Sequence, residues 1–390
     1  MIAVNTFAGK RVAVFGLAGS GLVCAHALAA GGAEIVCYDD KRERVDAAWD
    51  AGLPTGDLRV ADFNVFDALA LSPGVPLTHP EPHWSVEMAR AADKPVIGDI
   101  ELFDRERRDR LPLLRFAAIT GTNGKSTTTA LLGHVLKGLG DAAQVGGNIG
   151  RPVLDLDPVA GIAVVECSSY QIDLAPGIAP DVGLLLNISP DHIDRHGTFE
   201  NYAAIKRRLV AQSRQAVVGI DDEHSAAVAD DLEAAGKPLR RIAVLDDVSQ
   251  AQRLGRAGVA AVGEDLYVVV DGVPEAIGSL AGVVSLRGRH NAQNAAAAIA
   301  MAVALGHAAH DAVKHLATFP GLAHRMEEVG RHEGVLFVND SKATNAQSAR
   351  QALASFEDIH WIAGGERGRQ ARQCRRPLEP RRRSSGCPQT

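Results

Sequence analysis

Apolar runs of strand length alternate with alanine-rich stretches of helical length almost throughout the chain, the pattern of parallel α/β sheets. The first unit is a strand at 11–15, a glycine-rich turn from Gly16 to Gly21, a helix at 22–30, and a strand at 34–38 that runs into Asp39 and Asp40. A second series starts with a buried strand at 113–119 and a helix at 127–139, and continues with strands at 161–165 and 182–188. Ligands of open parallel sheets sit outside the carboxyl ends of the strands. The three strands of the second series run into Lys125, Glu166 and His192, which predicts that these side chains converge on one crevice. A strand at 335–338 leads into Asn339, Asp340, Ser341 and Lys342, and 359–365 has the pattern of one more strand and a glycine turn.

A chain of 390 residues is long for one domain. The run Asp104-Arg105-Glu106-Arg107-Arg108-Asp109-Arg110, with Leu111-Pro112 behind it, predicts a solvated helix end and linker and places a first boundary near residue 99. A second falls near Pro320-Gly321. The expected division is therefore 1–98, 99–320 and 321–366. Residues 367–390 break the pattern. Eight arginines and three prolines, with Leu378 the only large aliphatic residue, leave nothing to bury, so a disordered basic tail is expected there.

Composition narrows the classes. An apolar content of 46% supports sizeable cores, and a net charge of -6 argues against a nucleic-acid-binding surface. Cys24, Cys37, Cys167, Cys374 and Cys387 form neither a C-x-x-C pair nor a metal spacing, which suits reduced thiols. The apolar run at 12–15 is too short for a leader, and the longest such run, 295–305, falls short of the ~20 residues a bilayer requires. A soluble, cytoplasmic protein without membrane insertion is expected.

The most specific chemistry lies in Gly121-Thr122-Asn123-Gly124-Lys125-Ser126-Thr127. A glycine-rich turn between strand and helix offers backbone N–H groups to an anion, Lys125 adds positive charge, and Ser126 supplies a hydroxyl for Mg²⁺. The full G-x-x-x-x-G-K-[ST] pattern would need glycine where Ile119 stands, so this is a shortened relative of the phosphate loop. Nucleotide binding is the working expectation. The earlier turn is close to a dinucleotide-binding fingerprint, with Ala18 in place of the middle glycine. Glu166 either supplies an oxygen to Mg²⁺ or caps the helix that follows. His192 and His196, spaced i, i+4, admit zinc, although no third ligand stands beside them; a solvated loop histidine is the plain alternative. On the residues alone, Lys206 in the amphipathic stretch 201–209 is a surface lysine. Asn291 and Asn294 either cap a helix or face an adenine edge, and Asp340 with Lys342 either meets ribose and phosphate or begins a capped helix.

Eight ordered segments together resemble the Mur ligase family, ATP-dependent amide-forming enzymes of peptidoglycan synthesis. They are GTNGKSTTT at 121–129, GGNIG at 146–150, ECSSYQID at 166–173, LNISPDHIDRHG at 186–197, the Lys206 helix, LRGRHNAQNA at 286–295, FPGLAHRMEEV at 319–329 and NDSKATN at 339–345. The resemblance spans residues 10–365. It implies a three-domain α/β architecture: a Rossmann-like UDP-binding domain, a central P-loop ATPase-like domain, and a third α/β domain that is incomplete here. The segments after Glu166 and at 339–345 look like those of the D-glutamate-adding member. That implies UDP-N-acetylmuramoyl-L-alanine, D-glutamate and ATP as small-molecule substrates, an acyl-phosphate intermediate and a monomeric enzyme.

Residue by residue, the resemblance implies that Ser126 and Glu166 hold one Mg²⁺ ion, and that His192 with a carbamylated Lys206 holds a second. Gly121, Thr122, Asn123, Gly124, Lys125, Ser126 and Thr127 would cradle ATP. Asn291 and Asn294 would border adenine, Arg325 and Lys342 would meet phosphate, and Asp340 would meet ribose. Lys125, Glu166, His192, Lys206 and Lys342 would carry catalysis. Gly19, Ser20, Asp40, Lys41, Ser72, Pro73, Gly74 and Asn148 match UDP-sugar contacts.

The tail departs from the family, whose third domain has ordinary size, roughly 100–150 residues. A shifted or shortened reading frame would account for the change in composition at 367. The expectation is then UDP-sugar binding, at most weak ATP hydrolysis, and no ligation. Two other readings stay open: a catalytically impaired remnant that still binds nucleotide and UDP-sugar, and a nicotinamide-dependent oxidoreductase. The latter is suggested only by the first hundred residues and leaves the phosphate loop without a role.

Overall fold

Strand β1 (Arg11–Phe15) alternates its buried side chains between two layers. Val12 and Val14 pack with Cys24, Ala27 and Leu28 of α1 (Gly19–Ala30), whereas Ala13 and Phe15 face the opposite layer. The chain continues through β2 (Glu34–Tyr38), α2 (Arg42–Asp50) and β3 (Ala68–Leu71). Next come α3 (Trp84–Ala91), whose Val86 and Ala89 complete that opposite layer, and the short β4 (Val96–Ile97). The sheet is parallel with order β2-β1-β3-β4. Its order reverses between β1 and β3, the topological switch point where such sheets bind ligands.

The helix α4 (Asp99–Arg110) corrects the expectation of a solvated charge run, because Asp104, Glu106 and Arg107 are buried. Arg107 Nη2 donates to Asp104 Oδ1 at 2.8 Å and Nη1 to Asp181 Oδ2 at 3.1 Å. Glu101 accepts from the Gly177 N–H and Asp104 from that of Ala179. On the other side, Glu106 accepts from Asn5 Nδ2 at 2.8 Å and the Thr6 N–H at 2.9 Å. The partners lie far away in sequence, which is why the run resembles a wet surface when read alone.

The second sheet begins with β5 (Leu114–Thr120), followed by α5 (Lys125–Gly138), β6 (Ala143–Gly147) and β7 (Gly161–Glu166). Then come α6 (Ser169–Asp173), β8 (Val182–Leu185), α7 (Ile193–His196), α8 (Phe199–Gln212), β9 (Gln215–Gly219) and α9 (Glu223–Ala234). Strands β10 (Leu239–Leu245), β11 (Ala257–Val262), β12 (Asp265–Val270) and β13 (Val273–Ser279) complete it. The order is β13-β12-β11-β10-β9-β8-β5-β7-β6, parallel from β6 to β11 and closed at the far end by an antiparallel hairpin. Helix α10 (Arg289–Ala304) buries Ala295 to Ala298 completely against this sheet, since alanine lets the helix lie close, and α11 (Ala309–Val313) follows. The longest apolar run of the sequence is thus a core helix.

Helix α5 starts at Lys125, two residues before the expected helix, and α1 starts at Gly19 instead of Leu22. Both glycine turns therefore pass directly into helix. Beyond α11 an antiparallel hairpin, β14 (Glu327–His332) and β15 (Val335–Asn339), precedes α12 (Ala346–Leu353). The computed structural model describes residues 1–343, 346–356 and 358–364. Residues 1–355 form one unit, and the chain from Phe356 onward forms a second. The described part of that second unit contains no strand, so the strand expected at 359–365 is not formed over 359–364; that unit's described residues offer no second strand to pair with. Gly365 and the basic tail at 367–390 lie outside the described residues. Among the described residues no helix is long and apolar enough to cross a membrane.

Candidate active site

The turn after β5 is held by its neighbours. Gly121 has φ 155°, and a side chain there would meet Leu186; Gly124 has φ 85°, and a Cβ there would run into Asn294 Oδ1. Asn187 grips the loop from the end of β8, accepting from the Asn123 N–H at 2.9 Å and donating to the Asn123 carbonyl at 3.1 Å. The Thr122 hydroxyl pairs with Tyr202 Oη at 2.9 Å and accepts from the Ser189 N–H. Lys125 Nζ folds back onto the carbonyls of Gly121 and Thr122, each at 2.9 Å. Burial lowers its pKa, while Glu166 and Asp191 favour the charged form.

The expected convergence is present. A crevice of about 330 Å³ is lined by Lys125, Ser126, Glu166, His192, Arg325 and Lys342, among others. Glu166 ends β7 with one carboxylate oxygen accepting from Asn148 Nδ2 at 2.9 Å and the other, Oε2, buried without a partner. It does not cap the next helix, because Ser168 and Gln171 form a complete capping box there. Gly147 lets the end of β6 pass this point, since a Cβ would press on the Glu166 carbonyl. Asn148, matched by sequence to the UDP-sugar, therefore sits with Glu166 in the central crevice, apart from the first-sheet residues of that group.

His192 adopts φ 52°, ψ 31°, a left-handed conformation rarely held by a non-glycine residue without a reason at the site. Its backbone N–H donates to Asp191 Oδ1 at 3.0 Å. The zinc pairing is not assembled: His196 is buried with Nε2 2.9 Å from Ser169 Oγ, and no group of three His, Cys, Asp or Glu suited to a metal occurs among the described residues. Burial pushes the His196 pKa down to about 4.

Lys206 corrects the surface-lysine expectation. It is 1% exposed, donates through Nζ to the Gly121 carbonyl at 2.7 Å and to Thr120 Oγ1 at 3.3 Å, and stands 4.8 Å over the Tyr202 ring. Burial, and then the charge of Lys125, hold its pKa well below the usual lysine range. The signal was present in the sequence: Tyr202, Ile205, Lys206, Leu209 and Val210 are the buried stripe of α8, and their spacing puts Lys206 on the apolar face.

Arg325 Nη2 donates to Ser126 Oγ at 3.1 Å, joining the segment before β14 to the phosphate loop. Asp340 accepts from the Met326 N–H at 3.1 Å, and its half-buried carboxyl has a raised pKa through desolvation. Asn291 and Asn294 do not cap α10, whose N-cap is Gly288. They are buried and bonded to each other at 3.0 Å, and Thr128 Oγ1 donates to Asn294 Oδ1 at 3.1 Å, so they fasten α10 to α5 while still bordering the crevice.

In the first sheet, Gly19 and Ser20 open α1, Asp40 and Lys41 follow β2, and Ser72, Pro73 and Gly74 follow β3, all at carboxyl ends around the switch point. Asp39 is turned inward and accepts from the N–H groups of Leu17 at 2.7 Å and Lys41 at 2.9 Å. The acid that would hold a ribose in a nicotinamide site is therefore occupied by the turn itself. Asp40 faces outward, 3.0 Å from His83 Nε2 and accepting from Trp84 Nε1 at 3.3 Å. Sequence reasoning missed His83, Trp84, Asn187, Asp191 and Tyr202. Asn187 and Asp191 lie inside the motif at 186–197, whereas His83 and Trp84 carry no local signal.

Comparison with known proteins agrees with this arrangement. The model of the Mur ligase middle domain matches residues 119–302. The UDP-N-acetylmuramoylalanine–D-glutamate ligase of Agrobacterium fabrum is 54% identical over 94% of this chain and 77% of its own length. The enzyme of the same name from Chelativorans sp. is 55% identical with the same coverage. Among solved structures, a UDP-N-acetylmuramoyl-L-alanyl-D-glutamate–2,6-diaminopimelate ligase superposes with TM-score 0.53 at 19% identity, covering 91% of this chain and 69% of its own. UDP-N-acetylmuramate–alanine ligase from Thermotoga maritima gives TM-score 0.51 at 18% identity, covering 89% and 77%; both comparisons speak to the fold. With a phosphate loop, an acidic strand end and a switch-point crevice in place, and relatives this similar over nearly its whole length, the chain belongs to the Mur ligase family.

Proposed function

We propose that the chain is an ATP-dependent ligase that joins D-glutamate to UDP-N-acetylmuramoyl-L-alanine in peptidoglycan precursor synthesis. The observation that carries this reading is the gathering of Lys125, Ser126, Glu166, His192, Arg325, Asp340 and Lys342 around one crevice in a chain so similar to ligases of that name. In the first step a carboxylate oxygen of the UDP-sugar attacks the γ-phosphorus of ATP and the bond to the β–γ bridging oxygen breaks, giving an acyl phosphate and ADP. In the second, the amine of D-glutamate attacks the acyl carbon, gives up a proton, and phosphate leaves. Lys125 exchanges its loop carbonyls for the β- and γ-phosphates, and Arg325 stands ready beside Ser126 for the same charge.

The donor set fits Mg²⁺: Glu166 keeps a buried carboxylate oxygen without a protein partner, and the Ser126 hydroxyl lines the same crevice. Ser126 and Glu166 would hold one ion, His192 and a carbamylated Lys206 another, and the ions would neutralise charge on the phosphates. Carbamylation suits Lys206, because a buried neutral amine adds to the carbon of CO₂ and loses one proton, becoming an oxygen anion. Gly19, Ser20, Asp40, Lys41 and the 72–74 turn are proposed to hold the UDP-sugar, Asn148 to meet its reacting end, Asn291 and Asn294 to flank adenine, Asp340 to meet ribose, and Lys342 to meet phosphate. A monomer is proposed, as the family resemblance implies, and the substrates point to the cytoplasm.

The test supplies the chain with ATP, Mg²⁺ and UDP-N-acetylmuramoyl-L-alanine, follows ADP, traps the acyl phosphate with hydroxylamine, and then adds D- or L-glutamate. ADP and hydroxamate that require the UDP-sugar are expected, with any ligation product arising from the D-amino acid only. ADP release indifferent to the UDP-sugar would sink the reading. The change of composition at 367 favours one second reading, in which nucleotide and UDP-sugar bind and the acyl phosphate forms, yet no dipeptide product appears.

A further inference from the structure

The turn after β3 and the segment that carries His192 are in direct contact. Arg195, in the short helix α7 that follows His192, donates through Nη1 to the carbonyl of Gly74 at 3.2 Å, and so reaches the turn after β3 in the first sheet. Its guanidinium carbon also lies 4.6 Å from the centre of the Tyr170 ring. Tyr170 in turn stands 5.1 Å from the His192 ring and stacks on His196 at 5.3 Å. Two residues further on, Gly197 has φ 79°, and a Cβ there would come within 2.5 Å of the His79 ring, so the first-sheet segment after Gly74 is pressed directly onto the end of α7. The contact is continuous from the 72–74 turn, through Arg195 and Tyr170, to the imidazole of His192.

We propose that Arg195 is a positioning residue that couples occupancy of the UDP-sugar crevice to the geometry of the phosphoryl-transfer crevice, with Tyr170 as the intermediate plate. This rests on the assignment of the 72–74 turn to the UDP-sugar. A guanidinium suits the place because its planar face stacks on an aromatic ring while its edge donates to a carbonyl; an ammonium offers the donor without the plate. His192 holds a left-handed backbone, and the Tyr170 ring packs beside its imidazole. A UDP-sugar that orders the 72–74 turn would hold the Gly74 carbonyl in place for Arg195, and Arg195 would then hold Tyr170 against His192. Linkage makes the effect reciprocal: nucleotide in the central crevice should tighten UDP-sugar binding by the same factor.

The experiment is calorimetric and needs no turnover. UDP-N-acetylmuramoyl-L-alanine is titrated into the full chain with and without saturating adenylyl-imidodiphosphate and Mg²⁺. The wild type is expected to bind the UDP-sugar about tenfold more tightly when nucleotide is present. In Arg195→Met the affinity for each ligand alone should stay within about twofold while the coupling falls to unity, a result that general loosening of the fold would not give. Tyr170→Leu, which leaves Arg195 and Gly74 in place, should also lose the coupling. Full coupling in either variant, or none in the wild type, would overturn the proposal. Failure of the wild type to bind the UDP-sugar at all would overturn the functional assignment as well, and the binary titration shows that directly.

Discussion

The chain contains two glycine turns built on the same plan, each following a buried parallel strand and opening a helix, and the side chains bonded to the two loops differ in charge. Beneath the turn at 16–21 lie acids: Asp39 holds the Leu17 N–H, and Asp99 lines a small cavity with Ser20, Gly21, Ser72 and Pro73. At the turn at 121–127 lie two cations, Lys125 within the loop and Arg325 bonded to Ser126. One backbone device is thus set for holding and the other for transfer. A substrate that stays intact needs only N–H groups and a fitted wall, whereas a phosphoryl group in flight develops charge that fixed cations stabilise.

Removing the central cation should break the comparison most sharply. Lys125→Ala is expected to lower UDP-sugar-dependent ADP formation by about 10³-fold, while calorimetry finds UDP-sugar binding unchanged. Equal losses in both would mean the two turns do not divide the work. Next comes Lys206→Ala, expected to cost about 10²-fold, with partial recovery in acetate, whose carboxylate fills the vacated space. A carbamate should also be visible by mass on the intact wild type under CO₂. No rescue and no adduct would leave Lys206 as a buried prop for Gly121.

Glycine substitutions test the shared plan. Gly124→Ala meets both a left-handed φ and Asn294, and Gly21→Ala drives a Cβ into the Gly16 carbonyl, so each should lose about 1–3 kcal/mol in chemical denaturation. Gly19→Ala has open space around it and should stay within about 0.5 kcal/mol. A pH-dependent test concerns the acid under the first turn. Burial pushes the Asp99 carboxyl from 3.8 up to about 6. Through that window the folded chain keeps a proton the unfolded chain has lost, so stability falls as pH rises, by at most about 1.4 kcal/mol per unit. Denaturation of Asp99→Asn at several pH values should lack that slope relative to wild type.

The alternation of strands and helices was legible because it is local, and so was the meeting of Lys125, Glu166 and His192, since parallel strands present their carboxyl ends together. What escaped was whatever depends on a distant partner. Glu106 looks solvated until Asn5 and Thr6 are seen to fill its oxygens, and Asn294 looks like a cap until Gly124 is seen pressed against it. Lys206 is a different case. Its place on the apolar stripe of α8 was available from spacing, and the charge of the residue type outweighed the period.

Helix α4 limits how this molecule can open. Its acids and Arg107 bind the N-terminal segment on one side and residues 177–181 on the other. Rotating the first sheet away from the second would strip Glu106 of Asn5 and the Thr6 N–H, or Glu101 and Asp104 of the Gly177 and Ala179 N–H groups, at a cost of about 1–3 kcal/mol for each buried group left unsatisfied. The other wall of the central crevice is held more lightly: the β14–β15 hairpin is exposed on most of its residues, and Arg325 crosses to Ser126. Helix α4 thus fastens the first two sheets to each other through buried groups, whereas the stretch after Gly321 reaches the phosphate loop through the Arg325 side chain.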